Sequence, residues 1–154
     1  MRKGETYLGA ILVLLVLVSV FAVLLTRYVR VRASPIVDEA FWLTDDQKVT
    51  AAHVRSKVET HVIIRATGEY VGSVVVKIRK DIALWLDNDY AVVTVPVSLS
   101  GDEKTEITLD FIPDETSVGR LRGYFIEVGF PVTKAKWVME NSYPPRLTVM
   151  NSGT

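Results

Sequence analysis

The longest apolar stretch of the chain runs from residue 6 to residue 26 and contains no charged side chain. A helix over such a stretch is roughly 30 Å long, which matches the hydrocarbon core of a bilayer. Apolar residues cover every face, which favours a spanning helix over one that lies at the membrane surface. The residues at its ends are typical of a membrane interface: Tyr7, Arg27, Tyr28 and Arg30. The pattern predicts a transmembrane helix over residues 6–28, after a short tail (1–5) and before a juxtamembrane linker (29–35).

Two other interpretations of this N-terminal segment exist. A cleaved secretory signal is disfavoured because the apolar run is longer than a usual signal core, and because Arg27 and Arg30 lie where a cleavage region is uncharged. The stretch "RKGET" resembles the leaders of type IV pilins and of archaeal pilins and flagellins, which implies a cut after Gly4 and a filament-forming helix. Glu5 follows Gly4 directly, whereas the bacterial pattern has its glutamate five residues past the cut. An uncleaved signal anchor is therefore the prediction, and a pilin-like filament subunit is the alternative.

The charges that flank the predicted span do not decide its orientation. Arg2, Lys3 and the amino terminus lie on one side, and Arg27, Arg30 and Arg32 lie on the other, which is nearly a tie by the positive-inside rule. The N-terminal tail is short, and the domain that follows is of a type common outside cells. We therefore predict a single-pass protein of the cell membrane with an extracytoplasmic C-terminal domain.

From residue 36 onward the pattern changes to the alternation that is typical of half-buried strands. In residues 54–66 the even positions are mostly apolar and the odd positions mostly polar, and residues 72–80 repeat this pattern with Val74, Val76 and Ile78. The turn-forming residues 67–72 between them predict a hairpin. Further strands are predicted at residues 36–43, 90–97, 105–111 and 122–130, with a last strand in residues 136–139 or 146–150. About seven short strands predict an all-β, single antiparallel β-sandwich over residues 36–150, with a frayed tail at 151–154.

One passage of this domain resembles a known family. The segment "FIPDETSVGRLRGYFIEVGF" resembles the passage from strand E to strand F of immunoglobulin-like and fibronectin type III domains, and CARDB-like domains look similar over residues 36–149. The resemblance implies an immunoglobulin-like sandwich without the cysteine pair, in which Tyr124 fixes the corner by bonding to the backbone near residues 113–118. It implies no active-site residue.

Charge and cysteine content narrow the functional classes. The chain has 18 basic and 18 acidic residues and a formal net charge of zero, so no strong field attracts nucleic acid. It contains no cysteine, so a domain outside the cell relies on packing alone. This composition suits a microbial surface protein, and an archaeal one in particular.

The residues that carry catalysis in other proteins are scarce. His53 and His61 are the only histidines, and on one unbroken strand they would lie too far apart to share a metal. His61 falls on the polar face and is expected to be solvated. The sequence has no thiol, no G-x-S-x-G motif and no phosphate-binding glycine loop. We therefore expect neither an enzyme nor a cofactor.

Two local features remain as candidate binding sites. Asp87 and Asp89 could supply oxygens to calcium, joined by Asp114 and Glu115 from another loop, but aspartates also occur in ordinary turns. Trp85 lies beside this acidic turn, where a loop tip could present it to a partner. Membrane lipid and an unidentified protein or carbohydrate are the expected partners.

Overall fold

The computed structural model describes residues 16, 18–19, 34–84, 86–118, 121–139 and 146–151. Two compact units are present, Met1–Val31 and Arg32–Thr154. In the first, Val16, Val18 and Ser19 are helical, and the rest of the predicted span lies outside the described residues. The four predicted interface residues also lie there: Tyr7, Arg27, Tyr28 and Arg30. Among the residues that are described, no helix has the length and apolar character needed to cross a bilayer.

The second unit is all-β and contains ten described strands. Six of them have eight or more residues: β1 (Ile36–Thr44), β4 (Val58–Arg65), β5 (Tyr70–Ile82), β6 (Asn88–Leu99), β7 (Lys104–Phe111) and β8 (Leu121–Phe130). Four are short: β2 (Gln47–Val49), β3 (Ala51–His53), β9 (Ala135–Val138) and β10 (Thr148–Met150). The predicted last strand is present twice, because both candidate segments form strands.

The strands form a sandwich of two four-stranded antiparallel sheets. Sheet one has the order β2-β1-β4-β7, and sheet two has the order β6-β5-β8-β9. The arrangement of β1-β4-β7 against β6-β5-β8-β9 is the strand order of immunoglobulin-like sandwiches, with connections that pass between the sheets. β3 and β10 form a separate two-stranded parallel sheet. The sequence had predicted a wholly antiparallel sandwich. The two large sheets are antiparallel, but the β3–β10 pair is parallel.

The hairpin predicted between residues 54–66 and 72–80 is wrong. β4 pairs with β1 and β7, whereas β5 pairs with β6 and β8, so the chain crosses from one sheet to the other between them. Ala66 and Tyr70, at the two ends of this crossing, are both buried. The crossing lets the apolar faces of β4 and β5 pack against each other, where a hairpin would place them side by side in one sheet.

The start of the predicted strand 54–66 also differs from the structure, because β4 begins only at Val58. Arg55 has a φ of 65°, which is incompatible with an extended strand. Its backbone N–H donates to the carbonyl of Pro113 at 2.8 Å. His53 lies in β3 and His61 in β4, so the two histidines are not on one strand.

The core lies between the two sheets and follows the predicted alternation. The side chains predicted to point inward from β4 and β5 are fully buried: Val58, Val62, Ile64, Val74, Val76 and Ile78. In sheet two, Val76 lies opposite Val128 and Ile78 opposite Ile126, so one continuous apolar layer faces sheet one.

A C-terminal segment closes the sandwich beside β8. Leu147 and Tyr124 exchange two backbone hydrogen bonds, of 3.0 and 2.9 Å. β10 then continues alongside β3. Leu147 and Val149 are buried, which makes this segment part of the core.

Candidate partner-binding tip

Two loops meet at the end of the sandwich opposite the start of β1. Ile36 pairs with Arg65 at one end of sheet one, and Phe111 pairs with Val58 at the other. The β7–β8 loop therefore leaves from the far end. The β5–β6 loop, residues 83–87, lies at the same end, because Ile82 at the end of β5 pairs with Leu121 at the start of β8. Beside it, Tyr90 Oη of β6 donates a hydrogen bond of 2.6 Å to the carbonyl of Ile112 in the β7–β8 loop.

Four large aliphatic side chains project from these loops. Leu84 is 100% exposed and Leu86 is 89% exposed in the β5–β6 loop, while Ile112 is 55% and Val118 is 72% exposed in the β7–β8 loop. We refer to these four residues as the apolar tip. Single exposed aliphatic residues are common on protein surfaces, but several at one end of a domain are typical of an interaction site.

The backbone of Leu84 has an unusual conformation. Its φ is 65°, in the left-handed region that non-glycine residues seldom adopt. No packing of its side chain compensates for this conformation, because the side chain is wholly exposed. Backbone strain of this kind concentrates at functional sites.

Lys80 of β5 connects the β7–β8 loop to sheet two through ion pairs. Its ammonium lies 2.8 Å from a carboxylate oxygen of Asp114 and 2.8 Å from one of Glu115, and 4.8 Å from the ring centroid of Tyr90. Burial lowers the pKa of Lys80, but hydrogen bonds to the two carboxylates outweigh this and raise it. These contacts hold the β7–β8 loop, which carries Ile112 and Val118 of the apolar tip, against sheet two.

Tyr124 lies beneath the same loop and is fully buried. Its ring lies 5.3 Å from Tyr90 and 5.5 Å from Phe111. The hydroxyl donates to Asp114 Oδ1 at 2.9 Å. The sequence predicted the correct loop but the wrong acceptor, since the acceptor is a carboxylate and not a backbone carbonyl. Burial, followed by this bond to Asp114, raises the pKa of Tyr124 well above its ordinary value.

We expect Tyr124→Phe to lower the free energy of unfolding by about 1 kcal/mol, and toward about 3 kcal/mol if Asp114 loses the Tyr124 hydroxyl without a replacement donor. The measurement is urea unfolding of residues 34–154 at several pH values. Burial raises the pKa of Asp114, but hydrogen bonds from Lys80 and Tyr124 outweigh it and lower the pKa. The stabilisation by ionised Asp114 is thus complete above its unfolded pKa and declines as the pH falls below about 4.

A matched control for this change is Tyr70→Phe. The Tyr70 hydroxyl donates to the neutral carbonyl of Ser73 at 2.8 Å, so its loss should be independent of pH in the acid range. Equal and pH-independent losses for both variants would show that Asp114 is not the acceptor in solution.

A polar depression adjoins the apolar tip. It has a volume of about 600 Å³, and its lining includes Arg55, Asp114, Glu115, Thr116 and Val118. Asp114 and Glu115 are bound by Lys80, whereas Arg55 forms no ion pair with the described residues. The end of the domain thus offers aliphatic side chains beside a guanidinium that pairs with no carboxylate of the described residues.

The calcium candidates do not form a cluster of oxygen ligands. Asp89 pairs with Lys77 at 2.7 Å and with Arg79 at 2.9 Å, so each of its carboxylate oxygens faces a cation. The carbonyl of Asp87 accepts from Arg79 at 2.6 Å. Within the part of the chain that is described, no three potential metal-ligating side chains lie close enough to hold an ion.

His61 is not a solvated side chain, contrary to the prediction. It stacks on Phe41 with ring centroids 5.2 Å apart, and its Nδ1 lies 2.6 Å from Glu106 Oε1. Its side chain is only 15% exposed, because neighbours on β1 and β7 cover it. The alternation correctly placed His61 on the outer face of the sheet, but it could not show that Phe41 and Glu106 shield the ring from solvent.

Trp85, the predicted partner-binding residue, lies outside the described residues, between Leu84 and Leu86 of the apolar tip. The sequence therefore pointed to this loop through its tryptophan but missed the four aliphatic residues. The sequence contained only a weak indication that these residues are exposed: the leucines of "IALWLDND" and the valine of "ETSVG" occur among turn-forming residues. Apolar residues within a turn-rich segment have no strand alternation that could bury them.

Comparison with known proteins shows a fold and no family. No family model and no curated protein matches the chain. The C-terminal domain of Wzt has a TM-score of 0.52 at 9% identity, covering 79% of this chain and 76% of that one. A CARDB domain from Pyrococcus furiosus, solved with di-metal ions, gives 0.48 at 17% identity, covering 78% of this chain and 90% of that one.

A β-glucosidase from Erythrobacter marinus gives a TM-score of 0.48 at 18% identity over 77% of this chain. The chain spans only 16% of that enzyme's length. The likeness to the Wzt domain supports the β-sandwich fold that the strand order shows. It concerns the fold alone.

Proposed function

We propose that the chain is a membrane-anchored, non-catalytic binding module that docks a protein partner through the apolar tip. The observation that carries this proposal is the exposure of Leu84, Leu86, Ile112 and Val118 on two loops at the same end of the sandwich. The described part of the sandwich offers no metal cluster. The sequence contains no nucleophile in a catalytic motif.

The chemistry of the apolar tip favours a protein over a carbohydrate. Its four described side chains have neither a ring that could stack on a sugar nor a hydrogen-bonding group. They bind mainly by leaving water, and their best match is an apolar pocket of another protein. Arg55, which pairs with no described carboxylate, lies beside the tip and suits a carboxylate on the rim of that pocket.

The membrane anchor in this proposal rests on the sequence. Residues 6–26 are uncharged and long enough to span a bilayer. The predicted span precedes β1, and β1 begins at the end of sheet one opposite the apolar tip. In this proposal the domain lies outside the cell, and the apolar tip is the surface that contacts its partner.

Site-specific photo-crosslinking in cells of the source organism tests the apolar tip. A photoreactive residue at position 84 should yield a discrete protein adduct, and Leu86→Ser should lower the yield about tenfold, because one buried leucine contributes about 1.5–3 kcal/mol. The matched control is position 71, since Val71 is also 64% exposed but lies at the start of β5.

The same adduct from positions 84 and 71, or none from either, would contradict the proposal. An adduct whose mass falls on deglycosylation, but not on digestion of a partner polypeptide, would identify a carbohydrate instead.

The anchor has its own expected outcome. Protease added outside intact cells should digest residues 34–154, and the mass of the purified chain should correspond to an uncleaved N-terminus. Protection until lysis would place the domain inside. Loss of the first four residues would favour the pilin-like filament subunit, and a mature chain that starts near Ser34 would indicate a cleaved secretory signal.

A further inference from the structure

The guanidinium of Arg79 in β5 connects both neighbouring strands of sheet two with the β5–β6 loop. Its Nη1 donates to Glu127 Oε2 of β8 at 2.8 Å, and its Nε lies 2.9 Å from Asp89 Oδ1 of β6. Its Nη2 donates to the carbonyl of Asp87 at 2.6 Å. Because Asp87 directly follows Leu86, this last hydrogen bond holds the loop next to an exposed leucine of the apolar tip.

The guanidinium is itself held in place. Glu127 is buried, and its Oε2 also lies 2.8 Å from Lys136 Nζ of β9. The guanidinium carbon of Arg79 lies 5.8 Å from the ring centroid of the buried Phe125, and the side chain is only 22% exposed. A planar guanidinium between a buried ring and a buried carboxylate loses little further freedom by forming a third bond. The carbonyl of Asp87 therefore has a fixed donor.

A β-bulge at the start of β6 decides which side chains face Arg79. Ile78 lies opposite Ala91 and Arg79 lies opposite Asp89, so Tyr90 is an extra residue in β6. In a regular strand Asp89 would share the inner face of Ala91, and Tyr90 would point outward. With the bulge, Asp89 points outward to Arg79, and the ring of Tyr90 points inward.

Tyr90 in turn contacts the β7–β8 loop. Its ring lies 5.3 Å from that of the buried Tyr124, and its hydroxyl donates to the carbonyl of Ile112. Asp89 and Tyr90 are consecutive residues, so the contacts with Arg79 and with Ile112 act on one short stretch of backbone. The end of the β5–β6 loop is thereby fixed relative to Ile112 of the other loop.

We propose that Arg79 is the positioning residue of the apolar tip, because it holds Leu84 and Leu86 at a fixed place relative to Ile112. The inference rests on the proposed function and adds how the apolar tip is kept ready for its partner. A preorganised surface loses little conformational freedom on docking, which favours affinity. Arg79 acts through the position of the loop and does not contact the partner.

Arg79→Lys tests this role. Lysine keeps the positive charge beside Glu127 and Asp89, but one ammonium cannot bond both carboxylates and the Asp87 carbonyl at once. The β5–β6 loop should therefore lose its attachment to sheet two while the domain stays folded.

The matched control is Arg65→Lys. Arg65 also lies on the outer face of a sheet between two carboxylates, with Nε 3.1 Å from Asp38 Oδ1 and Nη1 3.3 Å from Asp102 Oδ1. It pairs with Ile36, at the end of sheet one opposite the apolar tip. The midpoint of thermal unfolding of the full chain in lipid nanodiscs should fall to a similar, small extent in both variants.

The position of the loop can be measured without the partner. The chain contains no cysteine, so Leu84→Cys and Ile112→Cys provide the only two sites for nitroxide labels. Pulsed EPR of the full chain in lipid nanodiscs should give a narrow distribution of distances between the labels. The distribution should be roughly twice as wide with Arg79→Lys, because a loop without its attachment samples more positions, and unchanged with Arg65→Lys.

The consequence for docking is measured by photo-crosslinking from position 84 in cells of the source organism. Arg79→Lys should lower the yield of the adduct about fivefold, and Arg65→Lys should leave it unchanged. An unchanged distance distribution in Arg79→Lys overturns the positioning role, and so does a wider distribution with an unchanged yield. Equal effects of the two variants would show a general loss of stability instead. A wider distribution in a chain that forms no adduct even with Arg79 present would overturn the proposed function but confirm that Arg79 positions the loop.

Discussion

Replacing Ile107 with aspartate should unfold the β-sandwich. Ile107 is 4% exposed, and it lies halfway along β7, the edge strand of sheet one, opposite Val62 of β4. A carboxylate there has no cation or donor within the core, so we expect a loss of about 4 kcal/mol or more, against a total stability of about 5–15 kcal/mol for a typical domain. The measurement is urea unfolding of residues 34–154, followed by the circular dichroism of the β-sheets.

The matched control is Thr108→Asp, on the exposed face of the same strand. It should change stability by less than about 0.5 kcal/mol. A similar loss in both variants would mean that β7 does not present alternate faces to core and solvent.

Phe125→Asp makes an informative contrast to Ile107→Asp. Phe125 is also buried, but it faces away from Tyr124, and the guanidinium carbons of Arg79 and Arg146 lie 5.8 and 5.5 Å from its ring centroid. An aspartate at this position would lie between two cations, so the new carboxylate would be partly compensated. We therefore expect a smaller loss than for Ile107→Asp.

Replacing Gly123 with alanine should have the second largest effect. Gly123 has a φ of 139°, and an added Cβ would lie 2.5 Å from the carbonyl oxygen of Leu147. That oxygen accepts the backbone hydrogen bond of Tyr124, so it cannot move without opening the C-terminal segment. We expect a loss of about 3 kcal/mol from strain and from the broken bridge.

Gly101→Ala separates these two causes. Gly101 also has a positive φ, of 59°, but an added Cβ would meet nothing within 4 Å. Its loss should be about 1 kcal/mol, from backbone conformation alone. If urea unfolding gives equal losses at the two positions, the close approach of Leu147 contributes nothing.

The sequence predicted which side chains lie in the core but not which strands lie together. Alternation placed Val62, Ile64, Val74 and Val76 on inner faces, and the structure confirms this. The same alternation arises whether two consecutive strands are neighbours in one sheet or face each other across the core. The hairpin between β4 and β5 was inferred from turn residues, which occur equally in a crossing between sheets.

The candidate site was less predictable because the exposure and partners of each side chain depend on what surrounds it. Tyr124 was found through a family-like passage, but its acceptor could not be read from spacing because Asp114 offers both a carbonyl and a carboxylate. Leu84 and Leu86 are apolar, and composition alone places such residues in a core. They are exposed because they lie in the β5–β6 loop, outside the two sheets.

The parallel pairing of β3 with β10 has a consequence for how the domain folds. It joins Ala51 to Thr148, residues nearly a hundred positions apart in the chain. Closing so long a loop carries a large entropic penalty before any contact compensates for it. The domain therefore belongs with the high-contact-order sandwiches that fold in milliseconds to seconds. Until this late closure occurs, the buried faces of Leu147 and Val149 remain accessible to chaperones and to aggregation.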